Sequence, residues 1–232
     1  MDMIKVNGVT KCFKMGNGDD FYALKGVDMN ITQGKLTILK GRSGSGKTTL
    51  LNIMSALDDA TDGQIIVGDR EISSMSGREK ESLRRYDIGF VFQSIALIPI
   101  MNAYENVDFS LRLADYDGNR DARIKEVMSM VGLSSRMYHM PNQMSGGEQQ
   151  RVAIARAVAH KPKVIFADEP TGALDTGSGL AVMKLFKDLV NQYGITIVMT
   201  THDPNLMELG DIVYEIQDGE IVGRTESTEY AD

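Results

Sequence analysis

Gly41-Arg42-Ser43-Gly44-Ser45-Gly46-Lys47-Thr48 decides how this chain is read, because it fits the spacing G-x-x-x-x-G-K-[ST] and follows the apolar run Leu36 to Leu39. Glycines in such a loop let consecutive backbone N–H groups curl around phosphate oxygens, and the lysine reaches the β- and γ-phosphates. The Thr48 hydroxyl is then available to Mg²⁺. Lys47 to Leu57 reads as a helix whose positive end points at the anion. The candidate phosphate contacts are Gly41, Ser43, Gly44, Ser45, Gly46, Lys47, Thr48 and Thr49. A glycine-rich turn between a strand and a helix is the plain alternative.

The bulk properties set limits on everything else. At 232 residues with 42% hydrophobic content, the chain suits one large domain or two lobes sharing a core. Its single cysteine, Cys12, excludes an intramolecular disulfide and fits a reducing compartment. A formal net charge of −7 argues against general adhesion to nucleic acid or anionic lipid. The longest unbroken apolar stretch, Ile95 to Met101, is too short to span a bilayer, and Met1-Asp2-Met3-Ile4-Lys5 opens no signal-peptide core. The chain is therefore expected to be soluble and cytoplasmic, touching a membrane only through another protein.

The pattern of elements predicts an α/β fold. An antiparallel unit is expected first, with strands at Ile4 to Thr10 and around Val27, Met29 and Ile31, and a glycine turn near Gly16 to Gly18. Asp62-Gly63 turns into a strand at Gln64 to Val67, and Ser76-Gly77-Arg78-Glu79 has capping-box spacing for a helix to about Tyr86. Ile88 to Phe92 reads as a strand ending at Gln93. From residue 94 to 162 the pattern is helical, with Ile124, Val127, Met128 and Val131 on one face and Gly132 beyond the last turn. Strands resume at Val164 to Ala167 and Ile195 to Thr200, separated by a helix closed by Gly194. Asp203-Pro204 starts a short helix, and Ile212 to Arg224 reads as a hairpin turning at Asp218-Gly219, with a loose polar tail beyond.

Strands alternating with helices imply a mostly parallel sheet, whose functional groups gather at the carboxyl ends of the strands. The phosphate loop, Gln93, Asp168-Glu169 and His202 all fall at such ends. Phosphoryl transfer to water needs a metal, a group that orients the water and a base. Asp168 suits the metal, Glu169 the base, Gln93 both metal and water, and His202 the γ-phosphate. Met144-Ser145-Gly146-Gly147-Glu148, opening a helix, is a second anion site with bare backbone amides. Two separated phosphate sites in one chain imply a nucleotide sandwiched between two copies.

With these residues in order, the chain resembles the nucleotide-binding subunits of ATP-binding-cassette (ABC) transporters over nearly its whole length. The resemblance implies a P-loop NTPase with a RecA-like core: one domain over 1–232, in which 1–93 and 163–232 form the catalytic α/β core with the β subdomain and 94–162 a helical signature subdomain. It implies ATP and Mg²⁺ as ligands, with Gly41 to Thr48 as the Walker A loop and Ser145-Gly146-Gly147 as the signature core. It makes Gln93 the glutamine loop, Asp168 the Walker B aspartate, Glu169 the catalytic base, Asp175 part of the D-loop and His202 the switch histidine. Thr48, Gln93 and Asp168 would be the metal set, and Glu169, His202, Gln93 and Lys47 the catalytic set. Phe13 matches the family's adenine-stacking aromatic, with Phe21 and Tyr22 as nearby rivals.

Gly89-Phe90-Val91-Phe92-Gln93, Tyr104-Glu105-Asn106-Val107 and Asp168 to Asp175 look like the MacB/LolD/FtsE-type branch. That branch implies an ATPase homodimer on the inner face of the cell membrane, driving a permease for export or mechanical work, with no nucleic-acid partner. A non-transporting regulatory complex and a soluble ATPase acting on nucleic acid are the alternatives. Two positions depart from the usual Leu-Ser-Gly-Gly-Gln: Met144, a mild swap, and Glu148, a carboxylate that suits a helix N-terminus but would repel a γ-phosphate if it faced one. Ile95 to Met101 corresponds to the family's permease-docking region, and filling the helical lobe's own core is an equal alternative.

Overall fold

The computed structural model describes residues 1–16 and 18–227. The chain begins with a long antiparallel pair, β1 (Asp2–Lys14) and β2 (Asp20–Thr32), extending well beyond the two strands expected from the apolar pattern. The glycine turn expected between them includes Asn17, which lies outside the described residues. Then follow β3 (Leu36–Lys40), α1 (Lys47–Met54), β4 (Asp62–Val67), β5 (Arg70–Glu71), α2 (Gly77–Tyr86) and β6 (Ile88–Val91). Three helices come next: α3 (Ala103–Leu113), α4 (Arg120–Met130) and α5 (Gly146–Val158). The chain returns through β7 (Val164–Ala167), α6 (Thr176–Tyr193), β8 (Thr196–Thr201), α7 (Pro204–Met207), β9 (Ile212–Gln217) and β10 (Glu220–Glu226). The tail expected to be loose beyond Arg224 is strand as far as Glu226; 228–232 lie outside the described residues.

The first sheet has the order β2-β1-β4-β5 and is antiparallel. The second has the order β10-β9-β3-β8-β7-β6, parallel throughout except for the edge strand β10. Alternation along these strands splits the core in two. Ile38, Ile165, Ala167, Ile197 and Met199 face a cluster built with α3 to α6, while Leu39, Val164, Phe166 and Val198 face one built with α1 and the first sheet. A sheet covered on both faces needs unbroken apolar strands, and Val164-Ile165-Phe166-Ala167, all fully buried, is such a run.

The first helix ends earlier than its sequence promises. Ala56 N–H donates to Ile53 O and Leu57 N–H to Asn52 O, a Schellman closure with Ala56 at φ 57° in the position that glycine usually fills. No glycine marked the stop, so the helix was expected to run on to Leu57. Where glycine does mark it, at Gly194 with φ 64° after α6, expectation and structure agree.

Register lines up the loops that matter. Lys40 pairs with Thr201, Val91 with Ala167, and Ala167 with Met199. Gly41, Gln93, Asp168 and His202 therefore leave the parallel strands at one edge, beside the point where β3 is flanked by β8 and β9. Gly89 keeps β6 tight against α5: a Cβ there would lie 2.4 Å from Ala157 O. Gly89→Ala is expected to lower stability by about 1–3 kcal/mol through overpacking. A urea unfolding curve should show the midpoint falling with its slope unchanged.

Candidate nucleotide site

The phosphate loop is built by close backbone approach. A Cβ on Gly41 would lie 2.3 Å from Ile216 O, and one on Gly46, at φ 105°, would lie 2.6 Å from Ala23 O. Ser45 N–H donates to Arg42 O at 3.2 Å, closing the loop's turn, and the Ser45 hydroxyl is buried without a partner. Lys47 is buried, and its ammonium donates to Gly41 O at 2.8 Å and Arg42 O at 2.9 Å, so the charge lies across the loop.

The helix after the loop stands apart from the others. Helices α2 to α7 each begin on a side chain that accepts a backbone N–H: Ser76, Asn102, Asn119, Ser145, Asp175 and Asp203. Helix α1 begins at Gly46 with no side-chain cap. Its first-turn amides, Lys47, Thr48 and Thr49 among them, have no intrahelical acceptor and point their partial positive charge at the loop's concavity. That is the local chemistry an oligophosphate requires.

Two acidic residues sit side by side at this end of the sheet, and one hydroxyl ties the carboxylate of the first and the backbone amide of the second. Thr200 Oγ1 donates to Asp168 Oδ1 at 2.6 Å and accepts from Glu169 N–H at 2.8 Å. Thr48 Oγ1 donates to the same Asp168 oxygen at 3.0 Å. Asp168 and the Thr48 hydroxyl, both hard oxygens, form a donor set that fits Mg²⁺. Glu169 sits at φ 41°, a left-handed conformation that costs a non-glycine residue about 1–3 kcal/mol and recurs at functional sites. Its carboxylate lies between two expected partners: Gln93 Nε2 donates to Oε2 at 3.3 Å, and His202 Nδ1 is 3.3 Å from Oε1. Gln93 thus meets Glu169 rather than the Thr48–Asp168 pair with which the metal set had grouped it.

Thr200 was missed by sequence reasoning. It ends the apolar strand read at Ile195 to Thr200, and only the β7–β8 pairing reveals that its hydroxyl links the Asp168 carboxylate to the Glu169 backbone amide.

The second constellation lies at the start of α5, packed against the start of α6. Ser145 and Glu148 form a full capping box: Glu148 N–H donates to Ser145 Oγ at 3.2 Å, and Ser145 N–H to Glu148 Oε2 at 2.8 Å. Gly147 faces α6, where a Cβ would lie 2.7 Å from Ser178 Oγ, and Gly146 faces Leu174. Asp175 accepts from Ser178 N–H at 2.9 Å and Ser178 Oγ at 2.7 Å. These hydrogen bonds, the Ser178 backbone's included, hold the Asp175 carboxyl below the usual aspartate range. Phe13 is directly opposite Phe21 on the β1–β2 pair, with the Lys11 ammonium 5.0 Å from its ring centroid. Phe13, Phe21 and Tyr22 are all exposed, and Ala23, next along β2, is the residue against which Gly46 packs.

The Ile95 to Met101 stretch is split between core and surface. Leu97 packs against the helical core while Ile100 is 82% exposed. The loop is pinned by the fully buried Asn106, whose amide donates to Ile98 O, Met101 O and Asn102 O.

Residues 24–172 match the family described as ABC transporter. The uncharacterised ABC transporter ATP-binding protein MJ1508 of Methanocaldococcus jannaschii is 46% identical over 95% of this chain and 98% of its own length. The macrolide export ATP-binding/permease protein MacB of Rhodopirellula baltica is 41% identical over 94% of this chain, which spans only 32% of that protein. Among solved structures, a dimeric post-hydrolysis state of the ATP-binding cassette MJ0796 of M. jannaschii, bound to ADP and Pi, superposes with a TM-score of 0.88 at 41% identity. That match covers 98% of this chain and 100% of the other.

Thr200→Val keeps the shape of the side chain and removes both hydrogen bonds. It should destabilise the protein by about 1–3 kcal/mol, because Glu169 N–H loses a part-buried acceptor. Thr200→Ser should recover most of that loss; equal unfolding midpoints for Thr200→Val and the parent would refute the bridging role.

Proposed function

This chain belongs to the ABC transporter family, and we propose that it is the ATP-binding subunit of a MacB/LolD/FtsE-like transporter whose homodimer closes on ATP to drive a permease. It is an ATP hydrolase. The observation that carries the reading is the convergence of Thr48, Asp168, Gln93, Glu169 and His202 at the edge where the uncapped helix α1 begins.

In this reading the amides of Gly44 to Thr49 and the Lys47 ammonium hold the phosphates, and the Phe13 end of the first sheet takes the adenine. Thr48 and Asp168 hold Mg²⁺ with Gln93 as a further oxygen donor, and the metal when bound neutralises phosphate charge. Glu169 takes the proton of the attacking water; Gln93 and His202, already on its carboxylate, orient it. His202 also donates to the γ-phosphate. Ser145-Gly146-Gly147 and Asp175 then serve the nucleotide of a second copy. The helical unit is assigned to 94–162 and the core to 1–93 and 163–232.

No helix among the described residues is long and apolar enough to cross a membrane. The permease supplies that part, and the cassette sits on its cytoplasmic face. The relatives that fuse a cassette to a permease support this partnership, the MacB protein of R. baltica among them.

Glu169→Gln should bind ATP normally, lose hydrolysis by about a hundredfold or more, as general-base removal does, and accumulate an ATP-bound dimer. Near-normal turnover in a steady-state assay would show that the base lies elsewhere. Ile100→Asp places a charge on the exposed side of the docking loop. It should weaken co-purification with the partner permease while ATP affinity stays unchanged; undiminished co-purification would refute the docking role.

A further inference from the structure

The departure at Glu148 is compensated in the fold. A capping-box glutamate uses one oxygen on the N-cap amide, and here Glu148 Oε2 does so with Ser145 N–H at 2.8 Å. The other oxygen, Oε1, lies 3.3 Å from Arg136 Nε. Arg136 comes from the one-turn segment Ser134–Arg136 that joins α4 to the signature, and its Nη1 is 3.1 Å from His139 Nε2. The guanidinium is thus shared between the carboxylate and an imidazole nitrogen that must be the acceptor. The Ser145 backbone N–H, with the Arg136 charge adding to it, holds the Glu148 carboxyl below the usual glutamate range.

This arrangement has an electrostatic consequence at the signature. The capping box consumes the Ser145 and Glu148 amides, leaving those of Gly146 and Gly147 without intrahelical acceptors. A γ-phosphate delivered to them would share the helix end with the Glu148 carboxylate, and two anions at one N-terminus compete for the same dipole. Glutamine at this position would keep the cap with no charge. With glutamate, the charge must be cancelled locally, and Arg136 is the cation in contact with it.

We propose that Arg136 is a positioning residue that neutralises Glu148, so that the signature of one chain can accept the γ-phosphate of ATP held by a second copy. The inference rests on the sandwich-dimer reading above. It assigns a role to a residue outside every recognised motif, and it makes position 136 and position 148 a coupled pair.

The test is a double-mutant cycle on the full chain in the Glu169→Gln background, with the ATP-dependent dimerisation constant measured by sedimentation. Arg136→Ala should weaken dimerisation about tenfold at low ionic strength and much less at about 0.5 M salt, where exposed charges are screened. Adding Glu148→Gln to Arg136→Ala should restore it to within about twofold, and Arg136→Lys, which keeps the charge, should behave like the parent. ATP affinity of the monomer and its unfolding midpoint are read alongside. A merely structural defect would lower the midpoint and would not be rescued by Glu148→Gln. Unchanged dimerisation in Arg136→Ala, or failure of the rescue, overturns the proposal while leaving the dimer reading intact. If the Glu169→Gln parent itself does not dimerise with ATP, the dimer reading falls, and this inference with it.

Discussion

The Thr200 hydroxyl holds the site in register. One oxygen atom donates to Asp168 and accepts from the amide of Glu169, tying the residue suited to the metal and the residue suited to the base to the neighbouring strand. Because Glu169 sits in a strained left-handed conformation, something outside its own segment must hold it there. The parallel pairing of β7 with β8 supplies that anchor, and the pairing of β8 with β3 places the phosphate loop beside it. The segment that carries the carboxylate flanked by Gln93 and His202 is therefore anchored by the sheet.

The two halves of the nucleotide machinery are prepared in opposite ways. At the phosphate loop the helix end is left bare: no side chain caps α1, glycine at 41 and 46 lets the backbone close in, and a buried lysine lies across the opening. At the signature the helix end is heavily capped, by Ser145, Glu148 and Arg136 together, and only the glycine amides remain. A bare end takes an anion from solution, whereas a capped end offers a fixed, limited surface suited to a phosphate already held by another chain. Gly147 also brings that end close to Ser178 on α6, so the signature and the start of α6 behave as one surface.

Much of this was legible because it is local. The phosphate loop, the capping box at Ser76, the glycine stop after α6 and the carboxylate pair after β7 depend on a few consecutive residues whose spacing carries its own physical reason. What was not legible has no signature in the spacing of neighbouring residues. Thr200 looked like the end of an apolar strand until its neighbour was known. Helix α1 stops at an alanine that adopts a glycine's conformation. Glu148 read as a threat to phosphate binding until Arg136, twelve positions earlier, was found on its second oxygen. In the Ile95 to Met101 loop, composition alone could not tell which residues turn inward; the path is fixed by hydrogen bonds with Asn106, outside the stretch.

The central claim is that the catalytic site is shared between two copies, with the phosphate loop of one facing the signature of the other. Mixing two individually disabled proteins tests it directly: Lys47→Ala, which spoils the loop, and Ser145→Arg, which spoils the signature, both in the Glu169→Gln background. A shared site predicts that each variant alone fails to retain ATP, while the mixture, in which each heterodimer has one intact site, retains about a quarter of the nucleotide held by the Glu169→Gln parent. Retention by the mixture no greater than that of the separate variants would contradict the account.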